Sequence, residues 1–259
     1  MTEFRLLAVG DVTGEGGMSL LRRRLGALRR EKKIDFCVVN GENASLLGMT
    51  PRQAEDLFAA GADVITLGNH TWNRRELIPY LAQQERILRP ANFPPQQPGR
   101  GWECYDTPFG TVAVIDLIGR CGMDYTPDNP FLLVERLLRR IDTKLIFVEL
   151  HAEATSEKLA MGRMLDGRVS AVWGTHTHVQ TADDTVLPAG TGYLTDLGMT
   201  GPIRSVLGVC VEQSVAKFRG DLTGRYEAAD GPCKLEGCIF TVDAGSGRCR
   251  SAERVAVHD

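Results

Sequence analysis

The sequence lacks an excess of basic residues. Its 259 residues include 30 Lys and Arg against 33 Asp and Glu, which gives a formal net charge of -3. A protein that holds duplex nucleic acid through its phosphates needs a strongly positive face. The composition therefore predicts no binding to duplex nucleic acid.

Paired cysteines and long apolar runs are also lacking. The seven cysteines are odd in number and include no C-x-x-C pair, which argues against a disulfide framework and a zinc knuckle. No apolar run approaches the roughly 18 residues that span a bilayer, and residues 1–5 do not begin a secretion signal. We expect a cytoplasmic protein with no membrane partner. The sequence has no coiled-coil heptads and does not determine the oligomeric state, so a homo-oligomer remains one alternative.

Short apolar runs alternate with amphipathic segments at the start of the chain. Leucines recur at helical spacing between the first two runs, and Thr50-Pro51 is typical of a helix start. We predict strands over 4–10, 34–40 and 63–67 and helices over 19–33 and 51–60. This alternation indicates a parallel or mostly parallel sheet covered by helices.

The rest of the chain continues in the same style, with weaker signals beyond residue 190. We predict a hairpin turning at 108–110, helices over 131–141, 156–165 and 205–218, strands over 144–150, 169–173 and 192–196, and a strand pair around 245–247. Residues 89–101 are rich in Pro and Gly and predict a surface loop. Because no internal repeat is present, we expect one domain over 1–259.

Polar side chains follow five of the predicted strands. They are Asp11, Glu42, Asn43, Asn69, His70, His151, His176 and His178. Ligands of open α/β sheets bind beyond the carboxyl ends of the strands, so we expect these side chains to meet. Such a mixed set of nitrogen and oxygen ligands is typical of a site for a borderline or hard divalent metal such as Zn, Mn or Fe, and differs from a thiolate site.

Each of these residues has a simpler interpretation when it is taken alone. Asp11 is typical of a helix cap, Glu42-Asn43 of a turn, and His151 of a hydrogen-bonded core histidine. The glycines after Asp11 lack the spacing of a phosphate-binding loop. The pair His176 and His178 is a stronger signal, because alternate residues of an extended segment face the same way. Together the residues favour a metal site.

The ordered blocks "GD", "GEN", "GNH", a lone His and "GTHTH" resemble the calcineurin-like metallophosphoesterases. The longer blocks "NGENAS", "TLGNHTW", "ILRPANFP", "HAEATSEK", "GTHTHVQTAD" and "TDLGMTGP" resemble the YmdB-like branch over nearly the whole chain. This resemblance implies an α/β fold, a four-layer α/β/β/α sandwich. It also implies phosphodiesterase activity on small cyclic nucleotides such as 2′,3′-cAMP.

The resemblance further implies two divalent or trivalent metal ions per chain, with Fe or Mn favoured over Zn. The first ion would be held by Asp11, Glu42, Asn43 and His178, and the second by Glu42, Asn69, His151 and His176. The chain departs from the wider superfamily in two ways. Val12 and Thr13 follow Asp11 where Asp-x-His is usual, and Glu42 stands where an Asp usually bridges the metals. We infer that Asn43 compensates for the missing histidine.

A metal pair lowers the pKa of a shared water, which then attacks phosphorus in line. His70, beside Asn69, would protonate the leaving ribose oxygen as general acid or stabilise charge on the phosphorane. Two alternatives stay open: a metallophosphatase or nuclease acting on another phosphoester, and a regulatory protein with a weakly active metal site.

Some residues outside this set have weaker signals. Asp196 is a candidate outer-shell partner of a ligand histidine, although a cap or turn role is equally compatible with its sequence. The loop residues Arg89, Asn92, Arg100 and Arg120 would be able to meet phosphate or base, but each is more typical of a solvated surface.

Overall fold

A computed structural model describes residues 2–222 and 224–259. The strands are β1 Glu3–Val9, β2 Asp11–Val12, β3 Phe36–Asn40, β4 Val64–Thr66, β5 Ile87–Leu88, β6 Trp102–Thr107, β7 Gly110–Ile118, β8 Leu145–His151, β9 Ala171–Thr175, β10 Thr185–Val186, β11 Gly192–Leu194, β12 Met199–Pro202, β13 Cys233–Asp243 and β14 Cys249–His258. The helices are α1 Gly14–Lys32, α2 Pro51–Ala60, α3 Leu77–Leu81, α4 Pro130–Leu138, α5 Thr155–Leu165 and α6 Val211–Phe218.

The strands form two separate sheets. The first has the order β2-β12-β13-β1-β3-β4-β5, with β14 paired to β13, and the second has the order β10-β11-β9-β8-β7-β6. Parallel pairing joins β1, β3, β4 and β5, and also β7, β8, β9 and β11. The predicted parallel arrangement is therefore correct for the strands that lead to the polar residues. Strand β13 lies antiparallel to β1 and to β14, and its pairing with β14 is the strand pair predicted around 245–247.

The two sheets pack face to face between two layers of helices. Along β1, Leu6 enters the core between the sheets, whereas Leu7 packs with leucines of α1 and α2. In the second sheet, Val112 faces the inter-sheet core and Ala113 faces residues of α4 and α5. Successive residues of a strand face opposite sides of the sheet. Because apolar residues occupy both sides of these strands, each sheet needs a packed layer on both of its faces. The predicted α/β/β/α sandwich is confirmed.

Helix α2 shows why the sequence located this element well. The Thr50 hydroxyl accepts the backbone N–H of Gln53 at 3.2 Å, and the Gln53 side chain accepts the backbone N–H of Thr50 at 2.9 Å. This reciprocal capping box satisfies donors that the first turn leaves free. Gly61 ends the helix with a φ of 120°, a conformation that glycine adopts without strain.

The predicted helix over 205–218 is wrong in its first half, since α6 begins only at Val211. Leu207 and Gly208 have φ angles of 54° and 93°, which no right-handed helix contains. Val206 and Val209 instead exchange backbone hydrogen bonds across this turn. A Cβ on residue 208 would lie 2.2 Å from Cγ2 of Thr13, so the turn also needs glycine for space.

Among the described residues, no helix is long and apolar enough to cross a membrane.

Candidate metal centre

The ring nitrogen Nε2 of His151 lies at the centre of the predicted cluster. Asn69 Oδ1 lies 2.8 Å from it, Glu42 Oε1 lies 3.0 Å from it, and His176 Nδ1 lies 3.1 Å from it. These four residues come from β8 and from the loops after β3, β4 and β9, in both sheets. The expected meeting of separate strand ends is therefore present in the structure.

The hydrogen bonds around the two histidines turn lone pairs toward this centre. His151 Nδ1 lies 2.9 Å from the hydroxyl of Thr175, which donates its own proton to Glu149 at 2.9 Å. Nδ1 must therefore donate to Thr175, so the neutral ring has its lone pair on Nε2. His176 Nε2 lies 3.3 Å from a carboxylate oxygen of Glu153, which leaves the His176 Nδ1 lone pair pointing at His151.

The hydrogen-bond acceptors around His151 Nε2 shift the pKa values of the two histidines in opposite directions. Burial alone would lower the pKa of His151, but the Glu42 carboxylate outweighs burial and raises it to about 8. Burial and His151 together lower the pKa of His176 to about 3, so its contact with Glu153 is not an ion pair at neutral pH. The acceptors thus hold a proton on His151, and ligand atoms of Glu42, His151 and His176 lie within 4.8 Å of one another, close enough to hold a metal ion together.

Glu42 is almost fully buried and uses both carboxylate oxygens. Oε1 faces His151, while Oε2 accepts the backbone N–H of His70 at 2.9 Å. Burial would raise the pKa of Glu42, but His151 and His70 outweigh burial and lower it to about 2. The side chain is therefore a carboxylate at neutral pH, with its two oxygens turned to different parts of the site.

Asp11 and His178 form the other side of the cluster. Asp11 Oδ2 accepts the backbone N–H of His176 at 3.2 Å, but Oδ1 is buried with no hydrogen-bond partner among the described residues. Oδ1 lies 3.7 Å from Nε2 of His178, whose Nδ1 donates to the carbonyl of Leu207 at 3.2 Å. Burial raises the pKa of Asp11, against the effect of the nearby histidines. Asp11 Oδ1 and His178 Nε2 therefore turn lone pairs toward the same side of the cluster.

Asn43 is placed at the site but does not turn its oxygen toward it. Its amide nitrogen lies 3.1 Å from His178 Nε2 and 3.4 Å from Glu42 Oε1. An amide nitrogen donates and does not bind a metal, so ligation by Asn43 requires the amide to rotate by half a turn.

The loop that carries His176 and His178 has a strained backbone. The two residues have φ angles of 96° and 61°, which residues other than glycine rarely adopt. Thr177, between them, donates its backbone N–H and its hydroxyl to Asp196 Oδ2, at 3.3 Å and 2.7 Å. Asp196 is in turn paired with the equally buried Lys158 at 2.7 Å. Asp196 therefore supports the ligand loop through Thr177, and the ring N–H groups bond elsewhere.

Gly68 lets two of these side chains approach the backbone. A Cβ at this position would lie 2.4 Å from the ring of His151 and 2.5 Å from Glu42 Oε2. The glycine in "LGNH" is therefore needed for space at the centre of the cluster.

His70 lies at the edge of the cluster and is only half-buried. Its Nε2 is 3.4 Å from the amide nitrogen of Asn69, and its Nδ1 is 3.3 Å from Oδ1 of Asn73. Asn73 can accept from Nδ1, which leaves Nε2 for a substrate.

The loop residues around position 90 differ from their predicted roles. Arg89 is buried and donates to the carbonyls of Pro90, Gln97 and Pro98, and burial lowers its pKa. Asn92 is also buried and bonds backbone groups of Ile118 and Asp128. A solvated role is therefore wrong for these two residues, which hold the loop together. Arg100 and Arg120 are exposed, as expected.

Sequence reasoning missed the groups that orient the ligands. Glu149 accepts hydrogen bonds from Asn40, Thr66, Trp173 and Thr175, at distances of 2.7–3.0 Å. Burial raises the pKa of Glu149 and these donors oppose the rise. The sequence signal for Glu149 was a single acidic residue in an apolar strand, two positions before His151. The contact of the Leu207 carbonyl with His178 had no sequence signal, because every residue has a backbone carbonyl.

Comparison with known proteins gives the chain a family. The model of the family described as YmdB-like protein matches residues 7–255. The chain belongs to this family. A Bacillus subtilis relative named 2′,3′-cyclic-nucleotide 2′-phosphodiesterase is 41% identical over 258 residues, covering 98% of this chain and 97% of the relative.

Solved structures agree with this assignment. A structure described as a novel phosphatase from Mycoplasma pneumoniae has a TM-score of 0.94 and 30% identity, covering 100% of this chain and 94% of that chain. The calcineurin-like phosphoesterase YfkN from Bacillus subtilis has a TM-score of 0.60 at 11% identity, covering 99% of this chain and 90% of that one, and shares the fold. This YmdB-like chain is therefore an enzyme of the phosphoesterase class.

Proposed function

We propose that this protein is a dinuclear metal-dependent phosphodiesterase that hydrolyses 2′,3′-cyclic nucleotides. One observation carries the proposal: lone pairs of Glu42, Asn69 and His176 all converge within 3.1 Å of His151 Nε2. Such a set of acceptors is stable only around a positive charge. The name of the Bacillus subtilis relative supports the substrate class.

The proposed ligand sets share one carboxylate. Asp11, Glu42, Asn43 and His178 would hold one ion, and Glu42, Asn69, His151 and His176 would hold the other. The unpaired Oδ1 of Asp11 supports the first position, and the orientation of both ring lone pairs supports the second. Glu42 is suited to bridge because its two oxygens face different groups. Nitrogen and oxygen ligands of this kind suit Fe, Mn or Zn, and Fe or Mn is our preferred assignment.

When bound, the metal pair would supply charge stabilisation on the phosphoryl oxygens and a nucleophile at neutral pH. The chain itself supplies the proton for the leaving group. As an imidazolium, His70 would give the proton on Nε2 to the leaving ribose oxygen and become neutral, while its Nδ1–H stays donated to Asn73 and fixes the ring. The bond from the His70 backbone N–H to Glu42 places this donor beside the ligands.

Metal content is the first test of the proposal. Purified protein should contain about two ions per chain. The Glu42→Gln variant should lose occupancy at both positions, because one carboxylate contacts both. Elemental analysis of the two proteins, with the exposed Glu253→Gln variant as control, measures this. Loss of a single ion would show that Glu42 does not bridge.

Activity measurements test the substrate class. Metal-loaded enzyme should hydrolyse 2′,3′-cyclic nucleotides faster than phosphomonoesters or single-stranded RNA ends at equal enzyme concentration. Chelator treatment should abolish this activity, and Mn or Fe should restore it. Full activity after verified metal removal would overturn the metal mechanism, and a preference for monoesters would change the substrate class.

A further inference from the structure

A small cleft opens directly beside the candidate metal centre. Its volume is about 120 Å³. It is lined by Thr13, Ser45, Leu46, Leu47, His178, Leu207, Val209, Arg225 and Tyr226. A larger cavity of about 590 Å³ lies between α1 and β14, but it includes none of the clustered ligands. The smaller cleft shares His178 with the metal centre, so a molecule held there would extend to the metals.

Each wall of the cleft is tied to the metal centre or to a neighbouring element. Leu46 and Leu47 follow Asn43 in the same loop, and the N–H of Leu46 donates to the Asn43 carbonyl at 2.8 Å. Leu207 accepts the ring N–H of His178. Hydrogen bonds therefore connect these two walls directly to the proposed ligands Asn43 and His178.

The third wall, residues 225–226, is held by α6. The side chain of Gln213 donates to the carbonyl of Arg225 at 3.3 Å and accepts the backbone N–H of Glu227 at 2.8 Å. These two bonds lie on either side of Tyr226. The backbone around Tyr226 is thereby fixed where this residue lines the cleft, and the Lys217 ammonium lies 4.9 Å from the centre of its ring.

The backbone is strained around the cleft as well as around the ligands. Leu46 and Leu207 have φ angles of 64° and 54°. With His176 and His178, they make up four of the five non-glycine residues with positive φ in the described chain, the fifth being Lys33 at the end of α1. Strain of this kind persists where surrounding contacts hold it, and it concentrates at ligand sites.

We propose that this cleft is the subsite for the purine or pyrimidine base of the substrate. The inference rests on the proposed cyclic-nucleotide activity. A nucleotide whose phosphate lies at the metals would place its base on the His178 side, against leucine and tyrosine side chains. Bases pack on aromatic rings and on guanidinium groups, and Tyr226 and Arg225 offer one of each.

The cleft should recognise the faces of a base more than its edges, because most of its wall is apolar or already hydrogen-bonded. The hydroxyl of Thr13 already donates to the carbonyl of Asp11 at 3.1 Å, and that of Ser45 donates to Gln53 at 2.7 Å. The leucine and valine walls offer no hydrogen bonds. We therefore expect the four common 2′,3′-cyclic nucleotides to be hydrolysed with similar kcat/KM values.

The test compares a nucleotide with a substrate that lacks the base. Metal-loaded enzyme is assayed on 2′,3′-cAMP and on 1-O-methylribose 2′,3′-cyclic phosphate. The Tyr226→Ala variant should lower kcat/KM for the nucleotide relative to the base-free substrate by roughly five- to hundredfold, mainly through KM, because it removes the stacking surface. Leu47→Ala, on the opposite wall, should act in the same direction. Tyr125→Ala and Leu132→Ala, exposed residues outside the cleft, serve as matched controls.

The possible results separate the subsite from the proposed function. Equal kcat/KM for both substrates in the parent enzyme, or an equal loss on both in the Tyr226 and Leu47 variants, would overturn the subsite while the phosphodiesterase proposal stands. Absence of turnover on both substrates by fully metal-loaded parent enzyme would overturn the phosphodiesterase proposal, and the base subsite with it.

Discussion

At the residue scale, His70 and Asn69 are adjacent in the chain but face different groups. Asn69 turns its oxygen to His151, 2.8 Å away, while the His70 ring lies at the edge of the cluster beside Asn73. The sequence predicted that both residues lie close to the other polar strand ends, and the structure brings them to the same cluster. It left their roles to the family resemblance, because a sequence does not show which side chain atoms point inward.

Substitution of the two neighbours should produce different defects. We expect His70→Ala to retain both metals and lose turnover by roughly 10²–10⁴-fold, which is the usual contribution of a general acid. We expect Asn69→Ala to lose affinity for one metal, so that its defect shrinks as metal is added. Steady-state kinetics over a metal titration, with metal content measured in parallel, distinguish the two.

A substrate with a good leaving group sharpens this comparison. A p-nitrophenyl phosphodiester needs little protonation of its leaving oxygen, so it should partly rescue His70→Ala and should not rescue Asn69→Ala. Equal impairment of His70→Ala on both substrates, or loss of its metal, would refute the division of roles.

Gly68 allows another test at a single residue. A methyl group there would overlap the His151 ring and Glu42, so Gly68→Ala should lose metal and activity together. Gly245→Ala is the matched control, because a Cβ at that position meets only Asp243 at an ordinary 3.4 Å. Metal content, activity and circular dichroism of both variants measure the effect. A Gly68→Ala enzyme with two metals and full activity would contradict the geometry.

At the element scale, the sequence located those strands and helices that have a clear apolar run or a recognisable cap at their ends. Strands β1, β3 and β4 and helix α2 lie within two residues of their predicted bounds. The segment 205–218 was predicted as one helix, in the part of the chain beyond residue 190 where the sequence signals are weaker. Its first half instead forms the turn that brings the Leu207 carbonyl to His178, a contact between residues 29 positions apart. Local periodicity carries no information about such a contact.

The ligand loop after β9 depends on a buried ion pair beneath it. Lys158→Met should destabilise the fold by about 3–5 kcal/mol, because it leaves the buried Asp196 carboxylate without its cation. Chemical denaturation measures this change. Arg254→Met, which breaks the more exposed pair with Asp184, should cost about 0–1 kcal/mol. Equal effects of the two substitutions would show that the buried pair does not support the loop.

At the scale of the whole molecule, the site exists only where the two sheets meet. Glu42 and Asn69 follow strands of the first sheet, whereas His151 and His176 belong to the ends of strands in the second. The sequence showed that polar residues follow strands, and the resemblance supplied the sandwich. Their convergence within about 3 Å depends on how the sheets pack, which no single segment encodes.

Because the cluster connects the two sheets, we expect the free energy of unfolding to depend on both metal and pH. The pKa of His151 is raised from 6.5 to about 8, so in metal-free protein its proton contributes stability below about pH 6.5, which is lost as pH rises through 8. The pKa of Glu42 is lowered from 4.5 to about 2, so its contribution is present above pH 4.5 and is lost as pH falls toward 2. A metal bound as proposed would replace the proton on His151 and remove the alkaline loss of stability.

We therefore expect the Tm of metal-free protein to fall between pH 6.5 and 8.5, while the Tm of Mn-loaded protein changes less. The gap between the two should widen with pH, because metal ligands must be deprotonated. Thermal unfolding of both forms at several pH values measures this, with His258→Ala as a control for the loss of an exposed histidine outside the cluster. Parallel pH profiles would mean that the Glu42–His151 pair does not hold the proton in the absence of metal. A widening gap in His151→Ala as well would assign the effect to another group.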